Sequence, residues 1–209
     1  DMERREGHIP GRYLSEGSMR NGAFTLGMMI RTTDFKDIRQ IEDLNRELLS
    51  ISRSYNGLVG IPPKVTREGR NVDLAHLVRH LTEMAFKPGV VNLDHADLML
   101  TSKGGSILVM TWGAARPGGN RAATSVKDAL TKQLCDIDLK TVRKALVNVV
   151  GSGDLTLEDS LVASEVLRRR VKDKSHIIWG VSLVDGMEDD MEVFLILSTT
   201  PMELLLHWY

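Results

Sequence analysis

A single cysteine among 209 residues, Cys135, leaves no partner for an intramolecular disulfide, no thiolate set for zinc and no C-x-x-C redox pair. A reducing compartment, with the cytoplasm as default, is the expectation. Aromatic residues make up only 5% of the chain, so a core built from its 42% hydrophobic content must be mainly aliphatic. No apolar run approaches the roughly 18 to 20 residues of a membrane span, the longest lying near Phe194–Leu197. Neither charge dominates: 27 Lys and Arg stand against 28 Asp and Glu, a formal net charge of −1. No global field draws the chain to nucleic acid or to an anionic membrane. The opening Asp1-Met2-Glu3-Arg4-Arg5-Glu6 lacks an apolar signal-peptide core, so export is not expected. A chain that opens on Asp1 is expected to be a piece of a longer protein.

What is present is alternation. Residues 1–21 mix glycine, proline and charge without a period, the pattern of a flexible arm. Ala23–Ile30 is an apolar run of strand length. Ile38, Ile41, Leu44, Leu48 and Ile51 recur at intervals of three and four, predicting a helix over about Asp34–Arg53. Leu58–Ile61 reads as a second buried strand, closed by Pro62-Pro63. After a polar stretch, Lys64–Asn71, the apolar spacing from Leu74 to Ala85 predicts a helix that ends before Pro88-Gly89, with Asp73 near its positive end. A larger series follows: a short helix over Asp94–Ser102, a strand over Ser106–Thr111, a helix over Arg121–Leu134 and a strand over Lys144–Val150. A helix over Leu157–Val171 and strands over His176–Leu183 and Glu192–Thr199 complete it. Such alternation predicts an α/β fold, a sheet with helices packed on it. The Asp185-Gly186 pair predicts an antiparallel hairpin between the last two strands.

The familiar chemical signatures are missing. Gly113 and Gly118 have the spacing of a P-loop, but Gly119 occupies the lysine position, and Gly151-Ser152-Gly153 lacks the third glycine of a dinucleotide fingerprint. HExxH, EF-hand and G-x-S-x-G patterns do not occur. His76 and His80 are spaced to share a helix face, as two metal ligands would, with Glu83 and Asp73 within helical reach. No third ligand is obvious, so solvent-exposed rings are the simpler reading and no metal site is assigned. The charge clusters Arg168-Arg169-Arg170 and Met187–Glu192 read as solvated surface.

The distinctive segment is Val90-Val91-Asn92-Leu93-Asp94-His95-Ala96-Asp97-Leu98. Asn92, Asp94 and Asp97 fall where a capping residue and first-turn carboxylates belong, and Asp94 and Asp97 are three apart. Two carboxylates and an amide can orient water or hold a cation beside a phosphate. They can equally do no more than cap a helix.

With Lys87-Pro88-Gly89 before it, this segment resembles the P-G-L-I-N-[VL]-D-F-A-D-[VL] loop of the bacterial and archaeal cell-division protein family FtsZ. The resemblance continues in order. Met110–Ala115 is similar to the family's M-G-x-G-x-A, Asn120–Ala123 to its [ED]-D-R-A, and Lys144–Leu157 to its G-V-L-x-N-I-x-G-G-x-D-L-x-L. Trp179–Asp185 and the last strand follow, so the likeness spans about residues 85–200. More faintly, Gly22–Met28 and Leu58–Pro62 resemble the last strands of the family's GTP-binding domain. The resemblance implies a flexible arm (1–21), a strand-helix-strand remnant of a Rossmann-like GTPase domain (22–71), a connecting helix (72–91) and a two-layer FtsZ/tubulin-like C-terminal domain (92–204).

In the family the corresponding loop enters the nucleotide site of the next subunit in a filament. Asn92, Asp94 and Asp97 thereby acquire the role of site residues acting on the GTP of a neighbouring subunit, with Mg2+ as the accompanying cation. The implied partner is a second copy or a full-length FtsZ-like subunit, joined longitudinally. The family's phosphate-binding G-G-G-T-G-[TS]-G loop does not occur in this chain, the connection from Pro63 to Asn92 is shorter, and His95 stands where the family has phenylalanine. GTPase activity by the isolated chain is therefore not expected. A non-catalytic module that caps filaments or serves as a docking surface is the alternative reading.

Overall fold

The apolar run Val193–Leu197 lies in an interior strand of the sheet, with a neighbour on either side. In the computed structural model, which describes residues 25–30, 36–61, 74–116, 118–132, 135–187 and 190–209, twelve main elements follow one another. They are β1 (Leu26–Ile30), α1 (Ile38–Ile51), β2 (Gly57–Ile61), α2 (Leu74–Phe86), α3 (His95–Ser102) and β3 (Ile107–Ala115), then α4 (Arg121–Thr131), β4 (Lys144–Gly151), α5 (Leu157–Arg168), β5 (His176–Leu183), β6 (Met191–Thr199) and α6 (Pro201–His207). The six strands form one mixed sheet in the order β1-β2-β3-β6-β4-β5. β6 runs antiparallel to both of its neighbours, while β1–β2, β2–β3 and β4–β5 are parallel pairs.

The α/β class expected from the alternation is the class observed, with helices on both faces of the sheet. One face packs α1, α4, α5 and α6 against Val109, Val147, Leu195 and Leu197. The other packs Leu77 and Met84 of α2 and Leu98 of α3 against Leu108, Met110, Leu146, Phe194 and Ile196. Strands covered on both sides read as continuous hydrophobic runs, which is the character of Val193–Leu197.

The hairpin expected at Asp185-Gly186 is not formed between paired strands. Gly186 does take a left-handed φ of 82°, so the chain turns there, but β6 inserts between β3 and β4, and β5 pairs with β4. The physical reason is burial. Next to β5, β6 would lie at the sheet edge with one row of backbone groups unpaired; between β3 and β4 both rows are bonded and both faces are covered.

Helix ends follow local capping. Asp37 accepts from the Gln40 amide at 3.1 Å and starts α1, and Thr156 and Asp159 form a reciprocal capping box for α5. α5 ends at Arg168, three residues short of the expected Val171. α6 lies beyond the elements that the apolar spacing predicts, although Thr200-Pro201-Met202-Glu203 carries its signal: a threonine cap, proline at the first helical position and a glutamate closing a capping box. The expected arm, the polar stretch 64–71, Pro62-Pro63 and Asp73 lie outside the described residues. None of the described helices is long and apolar enough to cross a membrane.

Candidate functional site

The segment between α2 and α3 is fastened to the free edge of the sheet. The Val90 amide donates to Val181 O at 2.9 Å and the Val181 amide donates to Val91 O at 3.0 Å, an antiparallel bridge onto β5. Two glycines permit this approach. A Cβ on Gly89 would stand 2.3 Å from Val181 O, and one on Gly180 would stand 2.4 Å from Leu93 Cγ and 2.8 Å from Val91 O. Leu93 is thus buried over β5 and anchors the loop from below. Asn92 closes the turn, its Oδ1 accepting from the Gly89 amide at 2.6 Å.

Beyond Leu93 the chain enters α3 through a capping box. Asp94 Oδ1 accepts from the amides of Ala96 at 2.7 Å and Asp97 at 3.1 Å, while Asp97 Oδ2 accepts from the Asp94 amide at 2.9 Å. This satisfies amides that a helix start leaves without intrahelical partners and places negative charge at the positive end of the helix. Asn92 and Asp94 are exposed and Asp97 is half-buried. All three predicted site residues therefore have local backbone duties. The box engages one oxygen of each carboxylate, and the second oxygen of each has no hydrogen bond among the described residues.

The far end of α3 is held as well. Lys144 at the start of β4 donates from Nζ to Leu100 O at 2.7 Å and to Lys103 O at 3.1 Å, capping carbonyls at the helix C-terminus. Burial, then the nearby Lys103 charge, pulls the Lys144 ammonium below its ordinary range. Beside α3 lies a cleft of about 560 Å3 lined by Tyr55, Asn56, His95, Met99 and Lys103 among others. His95, the residue that departs from the phenylalanine of the related pattern, faces this cleft, whereas Asp94 and Asp97 do not line it.

The second group brought together is one the sequence reading did not assemble. His80 is not solvent-exposed but buried at 1% exposure, and His76 is half-buried beside it. Their third partner is neither Glu83, which pairs with Lys87 at 2.8 Å, nor Asp73, which lies outside the described residues. It is Glu192 on β6, whose Oε2 stands 3.0 Å from His80 Nε2 and 3.6 Å from His76 Nε2. The hydrogen bond from His80, working against burial, holds the Glu192 carboxyl below its ordinary range. No spacing rule connects residues 80 and 192; only the position of β6 in the sheet joins them.

Comparison with known proteins bears on the loop and the sheet together. A sequence profile described as the FtsZ family, C-terminal domain, matches residues 106–200. Cell division protein FtsZ 1 of Halobacterium salinarum is 33% identical over 186 residues, covering 89% of this chain and 45% of that protein. Cell division protein FtsZ of Methanothermobacter thermautotrophicus is 27% identical over 197 residues, covering 88% and 51%. The chain thus spans about half the length of the curated relatives it matches. Among solved structures, an empty FtsZ dimer from M. jannaschii aligns with a TM-score of 0.68 at 26% identity, over 90% of this chain and 58% of that one. The GDP-bound monomer of CetZ1 from Haloferax volcanii aligns with a TM-score of 0.64 over 94% and 63%; at 14% identity it shares the fold.

Proposed function

This chain belongs to the FtsZ/tubulin family of cell-division and cytoskeletal proteins, and we propose that it associates longitudinally with a GTP-bearing FtsZ-like subunit and presents Asn92, Asp94 and Asp97 to that subunit's nucleotide. On this reading residues 22–71 represent the end of a nucleotide domain, residues 72–91 the connection, and residues 92–204 the C-terminal domain. The dimer form of the M. jannaschii protein supports self-association as the mode of contact. The observation that carries the catalytic part is the half-occupied capping box. It fixes both carboxylates on a loop fastened to β5 and leaves one oxygen of each available.

The chemistry follows from that geometry. Hard oxygen donors suit Mg2+ and water, and a carboxylate held by its own helix amides is already oriented before the partner arrives. Asp97, half-buried at the first turn, would accept a proton or hydrogen bond from water attacking the neighbour's terminal phosphate. Asp94 would add negative charge that orients the cation shell, and Asn92 holds the turn that sets their height. Because the two groups act on another subunit's nucleotide, hydrolysis depends on assembly.

The test is to mix the chain with a GTP-loaded full-length FtsZ relative and follow phosphate release for the native chain and for Asp97→Asn. The amide keeps an oxygen acceptor for the capping box and removes the charge. A fall of roughly 100-fold, within the usual range for lost acid–base assistance, is expected. Equal rates end the catalytic role.

A second reading, a filament-capping or docking module without catalysis, is favoured by the capping box itself, which already employs both carboxylates structurally. It predicts that an Asp94→Asn/Asp97→Asn variant sediments with filaments as the native chain does and leaves hydrolysis unchanged.

A further inference from the structure

Three ligand atoms from distant parts of the chain converge where α2 crosses the sheet. His76 Nε2, His80 Nε2 and Glu192 Oε2 all lie within 4.8 Å of one another, with separations of 2.8 Å between the two nitrogens and 3.0 and 3.6 Å from His80 and His76 to the carboxylate. Zinc bonds of about 2.0–2.1 Å in tetrahedral geometry require ligand atoms roughly 3.3 Å apart. The observed separations straddle that value, so a cation fits after shifts of a few tenths of an ångström.

Proton counting supports a cation there. Two N–H groups cannot face each other at 2.8 Å, so at most one ring carries hydrogen on its Nε2. That one N–H then faces two acceptors, the other imidazole nitrogen and Glu192 Oε2, and can point well at only one of them, a poor arrangement beside a ring as buried as His80. One divalent cation satisfies all three. Aromatic neighbours hold both rings in place, with Trp112 packed on His76 at a centroid distance of 4.1 Å and Phe194 stacked on His80 at 5.2 Å and 8°. Arg79 opposes the cation, with Nη2 3.2 Å from His76 Nδ1, where a metal-bound imidazole carries its hydrogen. Arg79 is exposed, so a bound cation displaces its guanidinium toward solvent at a cost in affinity that removing the charge would spare.

We propose that His76, His80 and Glu192 form a binding site for one divalent transition-metal ion of the zinc class, with water in the fourth position, clamping α2 to β6. Two imidazoles select against Mg2+ and Ca2+, which prefer oxygen ligands, and favour Zn2+, Co2+, Ni2+ or Cu2+. The clamp is independent of the acidic loop, since it uses none of Asn92, Asp94 or Asp97.

The experiment uses the full, tag-free chain stripped with chelator, titrated with Zn2+ against a chromogenic chelator and separately with Co2+ in an absorption cell. One-to-one Zn2+ binding, a Co2+ d–d band of tetrahedral intensity and a zinc-dependent rise in Tm are expected. Glu192→Gln and His76→Gln, checked for native far-UV circular dichroism, should each weaken Zn2+ at least tenfold and remove the Tm shift. Arg79→Gln, which leaves all three ligands in place, should tighten Zn2+ severalfold. Millimolar Mg2+ should not compete. Absence of one-to-one binding, an octahedral Co2+ spectrum, or unchanged affinity in both ligand variants overturns the proposal. If the ligand variants fail to fold, the Co2+ spectrum and the Arg79→Gln arm decide: no tetrahedral band, or no gain in affinity, overturns it.

Discussion

Gly113 shows how much of a residue's meaning depends on what packs over it. In the sequence it is one glycine in a strand exit, Met110-Thr111-Trp112-Gly113-Ala114-Ala115, at a position the FtsZ-like pattern also fills with glycine. In the fold α4 lies so close to β3 that a Cβ there would sit 2.2 Å from both Ala129 N and Ser125 O, which are helix backbone and cannot rotate away. Gly113→Ala is expected to destabilise the chain by about 2–3 kcal/mol through forced separation of α4 and β3, measured as a lower urea midpoint; an unchanged midpoint would show that the helix rides more loosely than described. Cys135 illustrates the converse. Its solitude was legible at once, but burial, reinforced by the Asp136 charge, is what pushes its thiol up to about 12 and makes it a poor nucleophile at neutral pH. Asp94 and Asp97 were legible both as caps and as catalytic candidates, and the box they form is the first of those readings made concrete.

Between elements, the joint of α4 and α5 is electrostatic where most of the fold is aliphatic. Arg121, at the first position of α4, reaches Asp159 at 3.0 Å and also pairs with Asp154, whose carbonyl accepts from the same guanidinium at 3.2 Å. Burial works against the Asp159 charge, yet the Arg121 guanidinium with the Thr156 amide and hydroxyl holds its carboxyl below the ordinary range. Glu203 is lowered in the same way, burial being outweighed by the Thr200 cap and Arg143. A carboxyl lowered by folding contributes stability above its unfolded value and loses it as pH falls through the folded one. Urea midpoints should therefore drop below about pH 4. Arg121→Met should cost most near neutrality and progressively less toward acid, because the protonated carboxyl no longer gains from the guanidinium. A variant whose deficit is constant with pH would assign Arg121 to packing alone. The helices of this joint were readable from spacing, and the Asn120-Arg121-Ala122-Ala123 motif marked where α4 begins. That its arginine spans to α5 was not readable, since nothing local pairs residue 121 with residues 154 and 159.

At the scale of the whole molecule, the central position of β6 makes the two helical layers share one sheet. Alternate residues of β3, β4 and β6 feed opposite cores, Val109, Val147 and Leu197 on one face and Met110, Leu146 and Ile196 on the other. Losing either layer exposes the back of the strands that support the other, so the faces should unfold together. The three tryptophans report this well. Trp112 packs with the α2/α3 layer, while Trp179 and Trp208 pack with the opposite one. Urea transitions followed by fluorescence of variants that each keep a single tryptophan, and by far-UV circular dichroism, are expected to coincide once each is referred to its own variant's stability. Separate midpoints within one variant would show that the layers are independent units.

The sequence alone determined where the strands and all helices but α6 lie to within a few residues, and how several helices begin, because periodicity, caps and turn residues act over a few positions of chain. Composition set the aliphatic core, and ordered motifs pointed to the family. Tertiary structure decided the rest: that β6 lies between β3 and β4, that the acidic loop is pinned to the edge of β5 beneath two glycines, and that a glutamate meets two histidines more than a hundred residues away. These depend on which faces and edges remain to be covered once all the elements exist together, a requirement that no short stretch of chain contains.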